Sequence, residues 1–171
     1  MLLTIAIALV LLVLLRAATK PDTFRVQRAT TIAAPPEEIL PLINDFHYWG
    51  VWSPYERLDP VMRRSFSEPA RGRGAVYAWE SEGRAGVGRM EIKDASPAKV
   101  TIQLDFVKPF AIHNVAEFTL QPANGATAVT WSMQGRSPFI VKLMSVVFPM
   151  DRIVGRDFET GLAQLKAVVE T

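Results

Sequence analysis

Cysteine is absent from the chain. That excludes disulfides, thiolate nucleophiles and cysteine-bound metals. Histidine is nearly absent, with only His47 and His113, and no metal-ligand motif surrounds either, so no metal site is expected. A basic excess is also missing. Arg16 and Lys20 flank an N-terminal apolar run, and beyond residue 20 there are 17 basic and 17 acidic residues. A nucleic-acid-binding domain carries clustered positive charge, so no nucleic-acid partner is expected. The local group Arg63, Arg64, Arg71 and Arg73 reads as a solvated strand and loop. No phosphate loop, dinucleotide fingerprint or G-x-S-x-G elbow is present, and no cofactor is expected.

The first positive feature is "MLLTIAIALVLLVLL", fifteen residues with one threonine and no charge. As a helix it covers roughly 22 Å, with Ala17 and Ala18 extending it and Arg16 able to snorkel, against a hydrocarbon core of about 30 Å. A short membrane anchor is the stronger reading. A cleaved signal peptide is weaker, because no Lys or Arg precedes the run and no small-x-small site follows it. Arg16, Lys20, Arg25 and Arg28 all come after the span, so the positive-inside rule favours a cytoplasmic domain. The expectation is a single-pass membrane protein with an anchor at 1–19, a linker at 20–23 and a folded domain at 24–171.

The domain opens with "TFRVQRATTI", whose alternation predicts a strand with Phe24, Val26, Arg28 and Thr30 on one face. In "APPEEILPLINDF", Pro36 and the first-turn acids Glu37 and Glu38 predict a helix start, and Pro41 keeps that helix short. Five of the ten residues from Phe46 to Tyr55 are aromatic, although Gly50 and Pro54 interrupt them. Period-two patterning then runs through "VMRRSFSE", "AVYAWES", "VGRMEIKDA", "KVTIQLDFV", "IHNVAEFTLQ" and "TAVTWSMQG". These predict six strands of an antiparallel meander, with turns between them at "PARGRG", "EGRAG", "SPA", "KPFA" and the Asn-Gly of "PANGA". "SPFIVKLMSVVF" predicts a helix ending before Pro149. The last helix carries Val154, Phe158, Leu162, Leu165 and Val169 at helical spacing. Its Gly155 and Gly161 each cost roughly 1 kcal/mol relative to alanine, and their expected use is close approach to the sheet.

An antiparallel sheet with one apolar face needs a cover, and only the terminal helix is long enough to supply it. The fold expected is α+β: a seven-stranded antiparallel sheet wrapped around a long C-terminal helix, with short helices after the first strand. This order, together with "KPDTFRVQR", "APPEEILPLINDF", "WSPYERLDP", "GAVYAWES", "GRMEI", "DFVKPF", "AEFTL" and "GRDFETGLAQLKAVVE", resembles the START-like (SRPBCC, helix-grip) superfamily. The nearest likeness is the bacterial polyketide cyclase/dehydrase and lipid transport group, and it runs from about Pro21 to Glu170. The resemblance implies a cavity for an apolar or amphipathic small molecule. It does not by itself imply catalysis.

The expected lining is Trp79 and Met90, then Ile102, Leu104 and Phe106, then Phe118, Trp131, Met133 and Phe158. Trp49 and Trp52 are placed at the mouth, and Asn114 is a buried amide sharing a face with Ile112, Ala116 and Phe118. Acid–base chemistry would need an inward carboxylate or histidine. The candidates are His47, Glu80, Glu91, Asp105 and Glu117. Asp105 and Glu117 stand opposite the apolar residues of their strands, Glu91 faces away from Met90 and Ile92, and the phase of the strand carrying Glu80 is ambiguous. No catalytic residue is assigned. The leading expectation is a membrane-tethered binder of a lipid- or polyketide-like molecule. The alternatives are a cyclase- or aromatase-like enzyme and a non-catalytic, membrane-associated interaction domain. The sequence fixes no oligomeric state.

Overall fold

The computed structural model describes residues 1–108 and 111–171. β-Branched and aromatic residues at period two form β1 (Thr23–Ile32), β2 (Arg63–Phe66), β3 (Val76–Glu80), β4 (Val87–Ser96), β5 (Lys99–Lys108), β6 (Ile112–Ala123) and β7 (Ala126–Arg136). They make one seven-stranded sheet in the order β1-β7-β6-β5-β4-β3-β2. Strands β2 to β7 form a meander, and β1 closes antiparallel against β7, with Arg28 opposite Trp131. The β6–β7 hairpin turns on Asn124 and Gly125 at φ 52° and 80°, the conformation that Asn-Gly supplies at low cost. Half of the expected "KPFA" turn, residues 109–110, lies outside the described residues.

The helices are α1 (Leu2–Ala18), α2 (Pro36–Asn44), α3 (Trp49–Trp52), α4 (Phe139–Val147) and α5 (Met150–Val169). Pro36 opens α2 with Glu37 and Glu38 in its first turn, as the start signals predict. The buried stripe of α5 is Gly155, Phe158, Gly161, Leu162 and Leu165. It lies on the inner face of the sheet, which supplies Val26, Ile102, Phe118, Leu120 and Val129 to the same core. Arg28 ties β1 to α5, with Nε 2.7 Å from Glu159 Oε1 and Nη2 3.1 Å from Asp151 Oδ2. Its guanidinium crosses the helix at Gly155, where an added Cβ would lie 2.0 Å from Nη2. At the far end, Lys166 Nζ donates to Thr31 O at 2.7 Å, and the Ala33 amide donates to Glu170 Oε1 at 2.7 Å.

The expected membrane-spanning anchor is corrected. The N-terminal run is helical, but α1 has 17 residues, about 25 Å at the rise of an α-helix, against a hydrocarbon core of about 30 Å. No helix among the described residues is long and apolar enough to cross a membrane. The single-pass placement, the membrane as a partner and the preferred cytoplasmic side of the domain all rested on that span and fall with it. The helix instead packs along α4. The chain after it is pinned there too: Lys20 Nζ donates to Ser145 O at 2.6 Å, and Lys142 Nζ lies 2.5 Å from Asp22 Oδ1.

Candidate functional site

The aromatic segment is built on the end of α2. The Asp45 carboxylate accepts from the His47 amide at 3.0 Å and opens a single 3-10 turn over Phe46–Tyr48. The Trp49 indole N–H donates to Ile43 O at 3.0 Å, and that of Trp52 to Leu42 O at 2.8 Å. These bonds satisfy carbonyls that the short helix leaves open. They also lock both rings against the core, so the segment bends while both indoles stay buried. Ser53 and a second 3-10 turn, Pro54–Arg57, carry the chain onward.

Between this segment, the inner face of the sheet and the N-terminal half of α5 is a cavity of about 390 Å³. That volume is within the range of small-molecule sites, roughly 300–1,000 Å³. Its wall is mainly apolar, from Phe24, Leu58, Met62, Ala85, Ala116 and Val154 among others. Trp131 is clamped between Phe158, with centroids 4.1 Å apart and rings 9° from parallel, and Phe118, at 4.9 Å and 26°. Two glycines make room for the large rings. A Cβ at Gly161 would lie 2.7 Å from Trp131 Cζ3, and one at Gly88 would lie 2.4 Å from Trp79 Cζ2.

Apart from Arg84 and Arg136, which also line the cavity, the polar residues on the wall fall into two groups. In the first, each group has a partner. Glu56 accepts from the Tyr77 hydroxyl at 2.7 Å and from Arg64 Nε at 2.6 Å. Burial, with Glu56 beside it, holds the Tyr77 hydroxyl well above its ordinary pKa. Burial likewise raises the Asp157 carboxyl, against the opposing hydrogen bond of Tyr55 and the charge of Arg84. Tyr55 is itself raised by burial and by the charge of Asp157. The second group consists of Ser53 Oγ, Asn114 Oδ1 and Trp131 Nε1. All three are buried without a hydrogen-bond partner among the described residues, and all three belong to wall residues.

Of the residues expected to line the cavity, Trp49, Trp79, Met90, Leu104, Phe106, Asn114, Trp131, Met133 and Phe158 do so. Trp52, Ile102 and Phe118 lie in the solid core, each 0% exposed. Trp52 is held there by its bond to Leu42, Ile102 faces Ile92 across β4–β5, and Phe118 lies behind the Trp131 ring. The phase of β3 resolves with Tyr77 and Trp79 inward and Glu80 outward.

None of the five acid–base candidates reaches the cavity. His47 stacks on Phe66 with centroids 4.6 Å apart. Glu80 is 4.0 Å from Arg63, and Glu91 pairs with Arg89 and Lys93 at 2.9 and 2.8 Å. Asp105 bonds His113 at 2.7 Å, and Glu117 pairs with Lys99 at 2.5 Å. The two carboxyls that do reach the cavity, Glu56 and Asp157, were not among the candidates. The signal of Asp157 was its place beside Phe158 and three residues after Val154, at the edge of the apolar stripe of α5.

A seven-stranded antiparallel sheet gripping a C-terminal helix, with a hollow between them, defines a helix-grip protein. The chain belongs to the family described as polyketide cyclase / dehydrase and lipid transport, which matches residues 23–170. No curated protein matches it. Among solved structures, the KanY protein is 19% identical with a TM-score of 0.63, over 88% of this chain and 100% of its own. A Chromobacterium violaceum protein is 18% identical with a TM-score of 0.59, over 89% of this chain and 99% of its own. Truncated norcoclaurine synthase from Thalictrum flavum is 10% identical with a TM-score of 0.63, over 86% of this chain and 93% of its own. At these identities the likeness shows the fold.

Proposed function

We propose that the chain binds an apolar or amphipathic small molecule, of lipid or polyketide character, in the cavity between sheet and α5. The observation that carries this reading is the hollow itself: about 390 Å³ with a mainly apolar wall, in a core whose aromatic rings otherwise interlock. Burial of ligand surface supplies the affinity, about 25 cal/mol per Å² before the costs of ordering. The partnered polar groups on the wall, such as Glu56 and Tyr77, fix its shape. The test is to extract the purified full chain with organic solvent for mass spectrometry, and to titrate a panel of amphiphiles against a fluorescent apolar probe. A co-purifying apolar compound or competitive displacement is the expected result. Ala116→Leu, which grows a wall side chain into the hollow, should weaken displacement while the far-UV spectrum stays native. No extracted compound, together with no displacement by any amphiphile, would sink the reading.

One observation favours a second reading, acid–base chemistry on the bound molecule. Asp157 is a carboxyl on the wall with a raised pKa and a tyrosine hydroxyl beside it. Such a group keeps its proton to higher pH and can donate it to a substrate oxygen. Turnover of a candidate substrate that Asp157→Asn abolishes, with binding retained, supports this reading. Turnover unaffected by the substitution removes it.

A further inference from the structure

Two arginines stand where the apolar cavity meets solvent. In the meander, the β3–β4 turn, the β5–β6 connection and the last residue of β7 all fall at one end of the sheet. Arg84 comes from that turn, and Arg136 is the last residue of β7. Both line the cavity, and both are exposed, so they mark its rim. Val141 of α4 and Met150 of α5 line the same cavity and are apolar.

The acids near these arginines are engaged elsewhere. Glu56 accepts from Arg64 and Tyr77. Asp22, which feels the charge of Arg136, is paired with Lys142. Asp157 feels the charge of Arg84, but its burial favours the neutral carboxyl. Neither Arg84 nor Arg136 forms an ion pair among the described residues. Arg136 has a second distinction. With Ile112 it also lines an adjoining, more open hollow whose other walls include Asp22, His113 and Ser137. Asp22 and His113 have their partners, Lys142 and Asp105. The Arg136 guanidinium is thus an unpaired cation at the passage from an apolar interior to a polar surface.

Resting on the cavity reading above, we infer that the ligand is an anionic amphiphile, whose apolar chain fills the cavity and whose carboxylate or phosphate head is bound by Arg136. A guanidinium presents a planar fork of N–H donors that fits either head. Arg84 adds a second positive charge at the same rim, which favours an anion and repels a cationic head.

The test uses the full chain and four probes of one chain length: dodecanol, dodecanoate, dodecyl phosphate and dodecyltrimethylammonium. Each is kept below its micelle concentration and competes with an uncharged fluorescent apolar probe. An exposed ion pair is worth up to about fivefold in affinity. At low salt the better anion should therefore exceed dodecanol by about fivefold, and which anion is better identifies the head. The ammonium should bind more weakly than dodecanol. Added salt should shrink the advantage of the anion. Arg136→Gln should bring the anion-to-alcohol ratio close to one, and Arg136→Lys should keep most of it. Arg73→Gln removes the same charge from the β2–β3 turn at the opposite end and should leave the ratio unchanged. Without ligand, Arg136→Gln should melt with the parent, because no carboxylate loses a partner. Anions no tighter than dodecanol, or a ratio that Arg136→Gln leaves unchanged or Arg73→Gln lowers equally, overturn the inference while leaving the cavity reading intact. An equal loss of anion and alcohol binding in Arg136→Gln also overturns it, because the side chain would then shape the cavity without holding a head. If none of the four displaces the probe, the cavity reading fails and this inference falls with it.

Discussion

Gly161→Ala sets helix propensity against packing at one atom. In an exposed helix the change gains about 1 kcal/mol. Here the new methyl would lie 2.7 Å from Trp131 Cζ3 and 3.0 Å from Pro54 Cδ. The indole has little room to yield, because Phe158 lies 4.1 Å from it on one face and Phe118 4.9 Å on the other. Overpacking a core of this kind costs about 1–3 kcal/mol, so the net effect is a loss of roughly 0–2 kcal/mol. Gly155→Ala is the internal control. The atoms nearest its methyl would all belong to the Arg28 guanidinium, the end of a flexible side chain whose surface ion pairs are worth about 0–1 kcal/mol. Gly155→Ala should therefore be neutral or slightly stabilising. Urea unfolding followed by far-UV circular dichroism measures both variants, and melting should separate them by a few degrees at about 2–4 °C per kcal/mol. If Gly161→Ala proves at least as stable as Gly155→Ala, the tight approach of α5 to Trp131 is wrong.

Trp52→Ala should cost about 3–5 kcal/mol in urea unfolding, because its ring is fully buried against Phe118 and Trp131; a loss under about 1 kcal/mol, the size of a surface change, would place it outside the core. The Asp157 carboxyl sits above its ordinary value of 3.8, so the fold favours its protonated form. That contribution is complete below 3.8 and is lost as pH rises through the folded value. Asp157→Asn should therefore gain stability relative to the parent as pH rises toward neutrality, and unfolding midpoints that stay parallel across a pH series would refute the burial. Asp59 has the opposite sign: the Ser81 hydroxyl and the Val61 amide hold it below 3.8, a stabilisation present at neutral pH and lost on acidification. Ser81→Ala should accordingly be less stable than the parent at neutral pH, with the gap closing in acid titrations of the midpoint.

Strands were legible where alternation was clean. In β5, Val100 and Ile102 against Thr101 and Gln103 gave both the element and its inner face. In β3 the pattern was ambiguous, because Val76 and Ala78 are as apolar as Tyr77 and Trp79. The large rings went inward, where Tyr77 meets Phe46 and Trp79 meets Phe106. The cavity wall was mostly legible for the same reason, but alternation gives facing and not depth. Trp52, Ile102 and Phe118 face inward and lie behind other side chains. Asp157 was hidden because a charged residue in an amphipathic helix reads as solvent-facing, and Ser53 because a serine before proline reads as a turn. The N-terminal run declared a helix by its apolarity, but whether it spans a bilayer depends on a few residues of length.

The sheet closes by pairing its first strand with its last, and α5 then fastens that first strand through Lys166 and Glu170. Residues near position 30 thus wait for partners about a hundred or more positions later. Such distant closures carry a large loop entropy and slow the search. During synthesis β1 stays unpaired until β7 has left the ribosome. A nascent chain halted before the last helix would expose an open sheet edge, the kind of surface that chaperones exist to shield.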